Sequence, residues 1–474
     1  MNPHGTPESE AALKTAFKAA IRYLRDFNRG PVPAPVSQSE ILARLPKEAP
    51  EAGSPAEEVI ADFIAAAEGG VPAKLGGRFL AYVMGGAHPA GMAADWLTTA
   101  WDDAPGTPLA SPFGCAVDAR VGEWAKALLD LPAEASCGIV TGTTVGNFVG
   151  VAAARNALLA RHGWDVEADG LFGAPEIRVL IGAEAHPTML AGLRFAGYGA
   201  KRVVPIETDD NGAMRADAFE QALSEQPDDA PILVCAQAGH IHSGAFDPFA
   251  DIAPLCRARG AWLHVDGAFG LWARATPSLR QLTDGVELAD SWATDAHKWL
   301  NTPYDGAFAI VRDAAAHARA MSATASYLPA PAGERDPSHF VPELSRRARG
   351  NAIYATIRAL GRQGIIDGVE RCVANAQKMR DLLTAEPGIS CLNDVVINQA
   401  AFRFEAPDGD AESSDALTKE VVRKAIETGE VFLQTAEWRG RTIMRCSVCS
   451  HASTEDDMRR VAEVLIDAYR RSVN

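Results

Sequence analysis

The alternation that begins near residue 135 restricts this chain more than any other feature. Short apolar runs, CGIVTG, RVLIGAEAH, ILVCAQAG, AWLHVDGA, SWATDAHK and GAFAIVRD, each end in small or polar residues. Helical stretches such as VGVAAARNALLARH and FADIAPLCRARG lie between them. Strand–helix alternation predicts an α/β fold with a mostly parallel central sheet and helices on both faces. In such sheets ligands collect beyond the carboxyl ends of the strands, so the polar residues there are where chemistry is sought.

The sheet accounts for less than half of the 474 residues, and a chain of this length is expected to hold more than one folding unit. Residues 11–28 place Leu13, Phe17, Ile21 and Leu24 at helical spacing. The stretch GPVPAP (30–35) breaks that helix and reads as a stiff extended connector. Ser54-Pro55-Ala56-Glu57 predicts a second helix, with Ser54 as cap, Pro55 at its first position and Glu57 completing a capping box. Helices joined by an extended linker have little core of their own and need another surface, such as a second subunit. After residue 345 a long helical pattern leads to the strands INQAAFRF and TIMRCSVCS. A last helix begins near Thr454, with Met458, Val461, Leu465 and Ala468 on one face. The expected division is an N-terminal helical arm used for dimerisation (1–95), a large α/β domain (96–345) and a smaller C-terminal α/β domain (346–474).

A formal net charge of -16, with no Lys/Arg-rich run, argues against nucleic acid and anionic membranes as partners. The eight cysteines are scattered through apolar segments, unlike a secreted disulfide scaffold. Cys446-x-x-Cys449 lacks the second pair or histidines that a zinc site needs, so it reads as two reduced thiols in a buried strand. No leader-like or membrane-spanning apolar segment is present in the sequence, and a cytoplasmic location is expected.

Four strand ends carry residues that make sense together. Lys298 follows SWAT directly, in Asp295-Ala296-His297-Lys298. Burial favours the neutral amine, which can attack a carbonyl to form a Schiff base; a lysine snorkelling from a strand–loop junction is the competing reading. Asp266 closes AWLHVD, 32 residues before Lys298, where an acid needs a partner such as a protonated pyridine nitrogen; alone it also reads as a helix cap. Thr143 and Thr144, in Thr-Gly-Thr-Thr after the first strand, open a helix whose free N–H groups and hydroxyls suit a phosphate. His186, after RVLIGAEA, is placed to stack on a flat ring or merely to satisfy a loop. Phosphate cradle, ring stacker, ring acid and amine occur in order at strand ends of one sheet, which is the set required by pyridoxal 5'-phosphate. A metal hydrolase built on His240, His242, His264 and Asp266 is the competing chemistry from another class. It leaves the phosphate cradle and Lys298 unexplained, so no metal is expected.

With these residues in view, the chain resembles the group II pyridoxal-phosphate amino-acid decarboxylases, which have the type I PLP-dependent transferase fold. HVDGAFG (264–270), DAHKWLN (295–301), SGAFDP (243–248), FLAYVMGGAHPAG (79–91) and PELSRRARG (342–350) carry the resemblance, which spans about residue 50 to the end. It implies release of carbon dioxide from an L-amino acid to leave the amine, by an obligate homodimer with its site at the interface. An aldehyde-forming oxidative decarboxylase or an aldehyde-lyase is the alternative. By the same resemblance Lys298 would carry the cofactor, His297 would help bind phosphate, Asp266 would face the ring nitrogen, Ala268 would pack under the ring and His186 would stack on it. Phe79–Tyr82 and Trp101–Asp103 are expected to supply pocket residues across the interface, and Arg349 and Arg445 read either as a substrate carboxylate clamp or as structural ion pairs.

Two departures from the family pattern stand out. The loop PAGERDPSHF (331–340) lacks the tyrosine that relatives use to protonate the carbanion, with His339 or Tyr327 as substitutes. In related enzymes, loss of that tyrosine diverts the reaction toward an aldehyde. GHIHSG (239–244) places His240 and His242 on one face of a strand, where they would read a substrate group or be satisfied near the cofactor.

Overall fold

A computed structural model describes residues 5–322 and 335–473. Seven strands form the large sheet: β1 (Ser136–Val140), β2 (Arg178–Gly182), β3 (Val203–Ile206), β4 (Ile232–Gln237), β5 (Trp262–Asp266), β6 (Ser291–Asp295) and β7 (Ala307–Val311). Their order is β1-β7-β6-β5-β4-β2-β3. β2 to β6 pair in parallel, and β7 runs antiparallel between β1 and β6. Every residue of β4 to β7 is buried, as expected where helices cover both faces. The helix Thr143–Arg161 packs directly on the sheet because its glycines admit close approach. At Gly146 a Cβ would stand 2.9 Å from the Ala293 Cβ.

A smaller antiparallel sheet follows: β8 (Ile389–Cys391), β9 (Gln399–Phe404), β10 (Gln434–Trp438) and β11 (Arg441–Ser447), ordered β10-β11-β9-β8. The last helix, Glu455–Val473, buries Met458, Val461, Leu465 and Ala468 on its expected face. The long helical pattern becomes Arg349–Thr384, interrupted at Gly361, whose φ of 62° only glycine adopts readily.

Two local expectations need correction. The helix expected at Ser54 starts at Ala56, as the third of the arm after Pro7–Asp26 and Gln38–Arg44, with Pro55 as its N-cap at φ -55° and ψ 136° and no side-chain cap. Extended Pro55 delays the first helical residue by one and leaves Ser54 outside capping reach. His240 and His242 lie in a turn after β4, not on a strand, because the chain folds back between Gly239 and Gly244, both at positive φ.

The helix Pro7–Asp26 buries only Ala12, and Leu13 and Phe17 of its apolar face stand 69% and 54% exposed. By contrast, the ion pair of Asp118 with Arg346 is 2% exposed on both side chains. It ties the helix Pro112–Leu128 to the segment that precedes Arg349–Thr384. Asp118→Ala would strand a buried guanidinium and is expected to cost about 3–5 kcal/mol. Denaturant midpoints at an unchanged slope would check this, and a loss below about 1 kcal/mol would refute it.

Candidate active site

The carboxyl ends of β4, β5 and β6, with the loops after β1 and β2, surround a cavity of about 360 Å³. Thr143, Thr144, His186, Asp266, Ala268, His297 and Lys298 all line it, so the residues singled out at the strand ends come together in one place. Tyr304, which sequence reasoning passed over, lines it as well and stacks on the His297 ring at a centroid distance of 4.3 Å.

Asp295, the last residue of β6, organises one wall. Its Oδ1 accepts from the Thr143 N–H at 2.7 Å, at the start of the helix Thr143–Arg161, and its Oδ2 lies 3.0 Å from Lys298 Nζ. Lys298 Nζ also sits 5.7 Å from the centre of the Phe269 ring. The turn that carries Lys298 is backed by Gly85 of FLAYVMGGAHPAG, where any Cβ would collide with the Lys298 carbonyl oxygen. That contact gives the segment a packing reason for glycine.

On the opposite side, Asp266 ends β5 at 7% exposure. Its Oδ2 accepts from Asn147 Nδ2 at 2.9 Å and its Oδ1 from the Ala268 N–H at 3.2 Å. Burial pushes its carboxyl above the usual range, while the Asn147 hydrogen bond and the Lys298 charge pull the other way. His186 caps the helix Pro187–Phe195. Its Nδ1 accepts from the Thr188 N–H at 3.3 Å and lies 2.7 Å from Thr188 Oγ1, so the neutral ring carries its proton on Nε2. Burial, then the charges of Lys298 and Arg445, hold that imidazole down at about 4, and it is neutral at physiological pH.

His240, His242 and His339 are placed elsewhere and are not among the residues lining the cavity. His240 is buried, with Nδ1 2.9 Å from Ser243 Oγ and Nε2 3.3 Å from Glu184. Glu184 also accepts from Trp438 Nε1 and Arg439 Nε, both at 2.7 Å, which docks the β10–β11 hairpin onto the large sheet. Burial raises the Glu184 carboxyl, but these hydrogen bonds outweigh it and hold the group well below the usual range. The His242 ring packs against both His240 and Trp438, which also touch each other, and its buried Nδ1 has no hydrogen-bond partner among the described residues. His339 lies on the short turn Pro337–Phe340, and Tyr327 lies outside the described residues.

Arg349 pairs with Asp305 at 2.5 Å, whereas Arg445, 6% exposed on β11, has no carboxylate partner among the described residues. Burial lowers its guanidinium to about 10, which leaves it charged at neutral pH.

The donor set fits pyridoxal phosphate. Thr143 Oγ1 is a buried hydroxyl with no hydrogen-bond partner among the described residues, at a helix start beside the cavity. Thr143 and Thr144 would hold the phosphate with His297, Lys298 would bond the aldehyde carbon, and Asp266 would face the ring nitrogen.

Comparison with known proteins agrees. The pyridoxal-dependent decarboxylase conserved domain matches residues 39–405. Histidine decarboxylase of Rattus norvegicus is 26% identical over 97% of this chain and 71% of its own length. Phenylacetaldehyde synthase of Arabidopsis thaliana is 22% identical over 94% of this chain and 92% of its own. A crystal structure of Oryza sativa TDC with PLP and tryptamine superposes with a TM-score of 0.92 at 23% identity, covering 100% of both chains. The chain belongs to the pyridoxal-dependent decarboxylase family and is a carboxy-lyase that uses pyridoxal phosphate to release carbon dioxide from an amino acid.

Proposed function

We propose that Lys298, Asp266, His186, Thr143, Thr144, His297 and Ala268 are the working residues of this decarboxylase, and that its substrate is an L-amino acid with an aromatic or imidazole side chain. The observation that carries the site is the convergence of Lys298 Nζ, the Asp266 carboxylate and the buried Thr143 hydroxyl on one cavity. The apolar wall formed by Phe269 and Ile241 and the names of the relatives support the substrate class.

Pyridoxal phosphate, when bound, supplies the electron sink for the pair left behind as carbon dioxide departs. The chain's own residues do the rest. Asp295 holds the Lys298 amine toward the cavity, and His186 offers a flat neutral ring against which a planar group can stack. Arg445 is a buried cation with no carboxylate partner among the described residues, and its charge acts on both His186 and His242. We assign it the substrate carboxylate, so that the bond to be broken is fixed in orientation.

Two roles for Arg445 predict opposite signs. As a substrate clamp, Arg445→Gln raises KM by about 10- to 100-fold and leaves Tm unchanged or higher, because an unpaired buried charge is removed. As a structural ion pair it would lower Tm and leave KM alone. Melting curves beside steady-state kinetics separate the two.

The test of the overall reading is to load the protein with pyridoxal phosphate and screen L-amino acids for carbon dioxide, amine, aldehyde and peroxide. Carbon dioxide with an equal yield of amine supports it; no carbon dioxide from any of them ends it. Aldehyde with peroxide would instead favour the oxidative reading, which the absence of tyrosine from 331–340 and the likeness to phenylacetaldehyde synthase support.

Residues 1–95 serve, in this proposal, as the arm of a homodimer. Leu13, Phe17 and Phe63 are exposed on arm helices that pack against each other, and a second copy would cover them. His339 would then act as proton donor toward the partner's cavity. No helix among the described residues is long and apolar enough to cross a membrane, and the cysteines are free, in keeping with a reducing cytoplasm.

A further inference from the structure

Asp266 is the end of a longer chain of hydrogen bonds that runs away from the cavity into the core. Asn147 Nδ2 donates to Asp266 Oδ2 at 2.9 Å, and Asn147 Oδ1 lies 3.0 Å from His264 Nε2. His264 Nδ1 lies 2.8 Å from Ser291 Oγ, and Trp262 Nε1 donates to Ser291 Oγ at 2.8 Å. Asn147, His264 and Ser291 are 0% exposed and Trp262 is 1% exposed.

The direction of every link follows from its ends. The Trp262 indole can only donate, so Ser291 accepts there. The Asp266 carboxylate can only accept, so Asn147 turns its NH₂ to Asp266 and its Oδ1 to His264 Nε2. The single proton of a neutral imidazole therefore sits on Nε2, and the bare Nδ1 takes the Ser291 hydroxyl proton. Burial holds the His264 imidazole down at about 3, so it stays neutral. The fold also makes room for this ring. A Cβ at Gly150 would stand 2.5 Å from His264 Cε1 and Nδ1, so the helix Thr143–Arg161 carries glycine where the imidazole crosses it.

We infer that Asn147, His264, Ser291 and Trp262 form a one-way donor relay, and that Asn147 and His264 are positioning residues that keep Asp266 ionised and aimed at the cofactor's ring nitrogen. The inference rests on the proposed role of Asp266. An acid buried at this depth needs donors to remain charged. The other groups that face it are the Ala268 N–H from its own loop, Lys298 and Asp295 from the end of β6, and Cys235 from β4. Of these only Lys298 brings positive charge. Lys298 acts on Asp266 through charge and not through a hydrogen bond, so the relay is the donor supply of the carboxylate beside the Ala268 N–H.

Two measurements on the holoenzyme test this. In protein carrying ¹⁵N-labelled histidine, the His264 signal, assigned by its loss in His264→Gln, should be that of a neutral Nε2–H ring that does not titrate between about pH 5 and 9. A titrating His264, or one with its proton on Nδ1, overturns the relay, and this reading needs no variant to retain function. In the second measurement, pyridoxal phosphate labelled with ¹⁵N in the ring is bound to wild type, His264→Leu and His264→Gln. His264→Leu should shift the ring nitrogen toward its unprotonated signal and lower kcat by about 10- to 100-fold with KM little changed. His264→Gln, whose amide can donate to Asn147 and accept from Ser291, should recover most of both. Wild-type protonation and kcat in His264→Leu overturn the inference. If that variant does not fold, Ser291→Ala removes the next link, and it must move both readings in the same direction for the inference to stand. Failure of the decarboxylase reading looks different: no carbon dioxide would form, while the His264 tautomer, measured also in cofactor-free protein, would be as described.

Discussion

Lys298→Ala is expected to remove the covalent link between protein and cofactor and to lower turnover by at least about 10³-fold, roughly 4 kcal/mol of barrier. The surroundings of Lys298 suit the role proposed for it. Its side chain is 18% exposed, reaches into the cavity and is held by Asp295 at 3.0 Å. A lysine present only to neutralise Asp295 could be replaced by arginine. Arginine keeps the positive charge but never presents a neutral amine, so the two hypotheses separate in Lys298→Arg. That variant should keep the wild-type melting temperature more nearly than Lys298→Ala and yet be as inactive. Borohydride reduction of the loaded protein followed by peptide mass analysis reads the bond directly. The pyridoxyl group should appear on Lys298 in the wild type and on no peptide in either variant. A label on another lysine, or turnover that survives the substitution, would remove the central claim about the site.

Much of this was legible because parallel strands buried on both faces leave plain signals. All six apolar runs of the large sheet form strands, each ending beside a small or polar residue. The strands that escaped notice lack that signal. β3 reads VVPI with a proline and three residues not buried, β8 has three residues, and β10 reads QTAEW with a single buried position. At the site, Lys298, Asp266, His186, Thr143 and Thr144 were recognisable as a set at successive strand ends, whereas His297 and Ala268 came from the family resemblance and Tyr304 carried no such signal. Asn147 was not recognisable, because an asparagine four residues into a helix has no signature of its own. A signal did exist in His264-Val265-Asp266, since alternate residues of a strand share a face and any group reaching one would be close to the other. His240 and His242 misled for a related reason. Alternation was assumed to continue past β4, but two glycines at positive φ had already turned the chain toward Glu184 and the β10–β11 hairpin.

Asp266→Asn should leave the cofactor bound and cut kcat by about 10³-fold, with KM changed only a few-fold. Retention is expected because Lys298 and the Thr143 end of the helix grip the cofactor at points away from the ring nitrogen. The loss has two sources that act together. An amide carries no charge to keep the ring nitrogen protonated, so the electron sink weakens at the step that needs it. The amide also fits its neighbours badly. With its oxygen accepting from the Ala268 N–H, its NH₂ would face the Asn147 NH₂, and two donors cannot share that contact. Asn147 must then turn over, which breaks its acceptor contact with His264 Nε2. The substitution therefore combines loss of charge with loss of orientation, and Asn147→Leu, which leaves the carboxylate in place and removes one of its donors, should cost less. Cofactor-to-protein ratio and steady-state kinetics on both variants decide the matter. If Asp266→Asn kept wild-type turnover with a full complement of cofactor, the carboxylate would be only a structural cap on the loop after β5. Equal losses in the two variants would mean that the carboxylate works only while Asn147 donates to it.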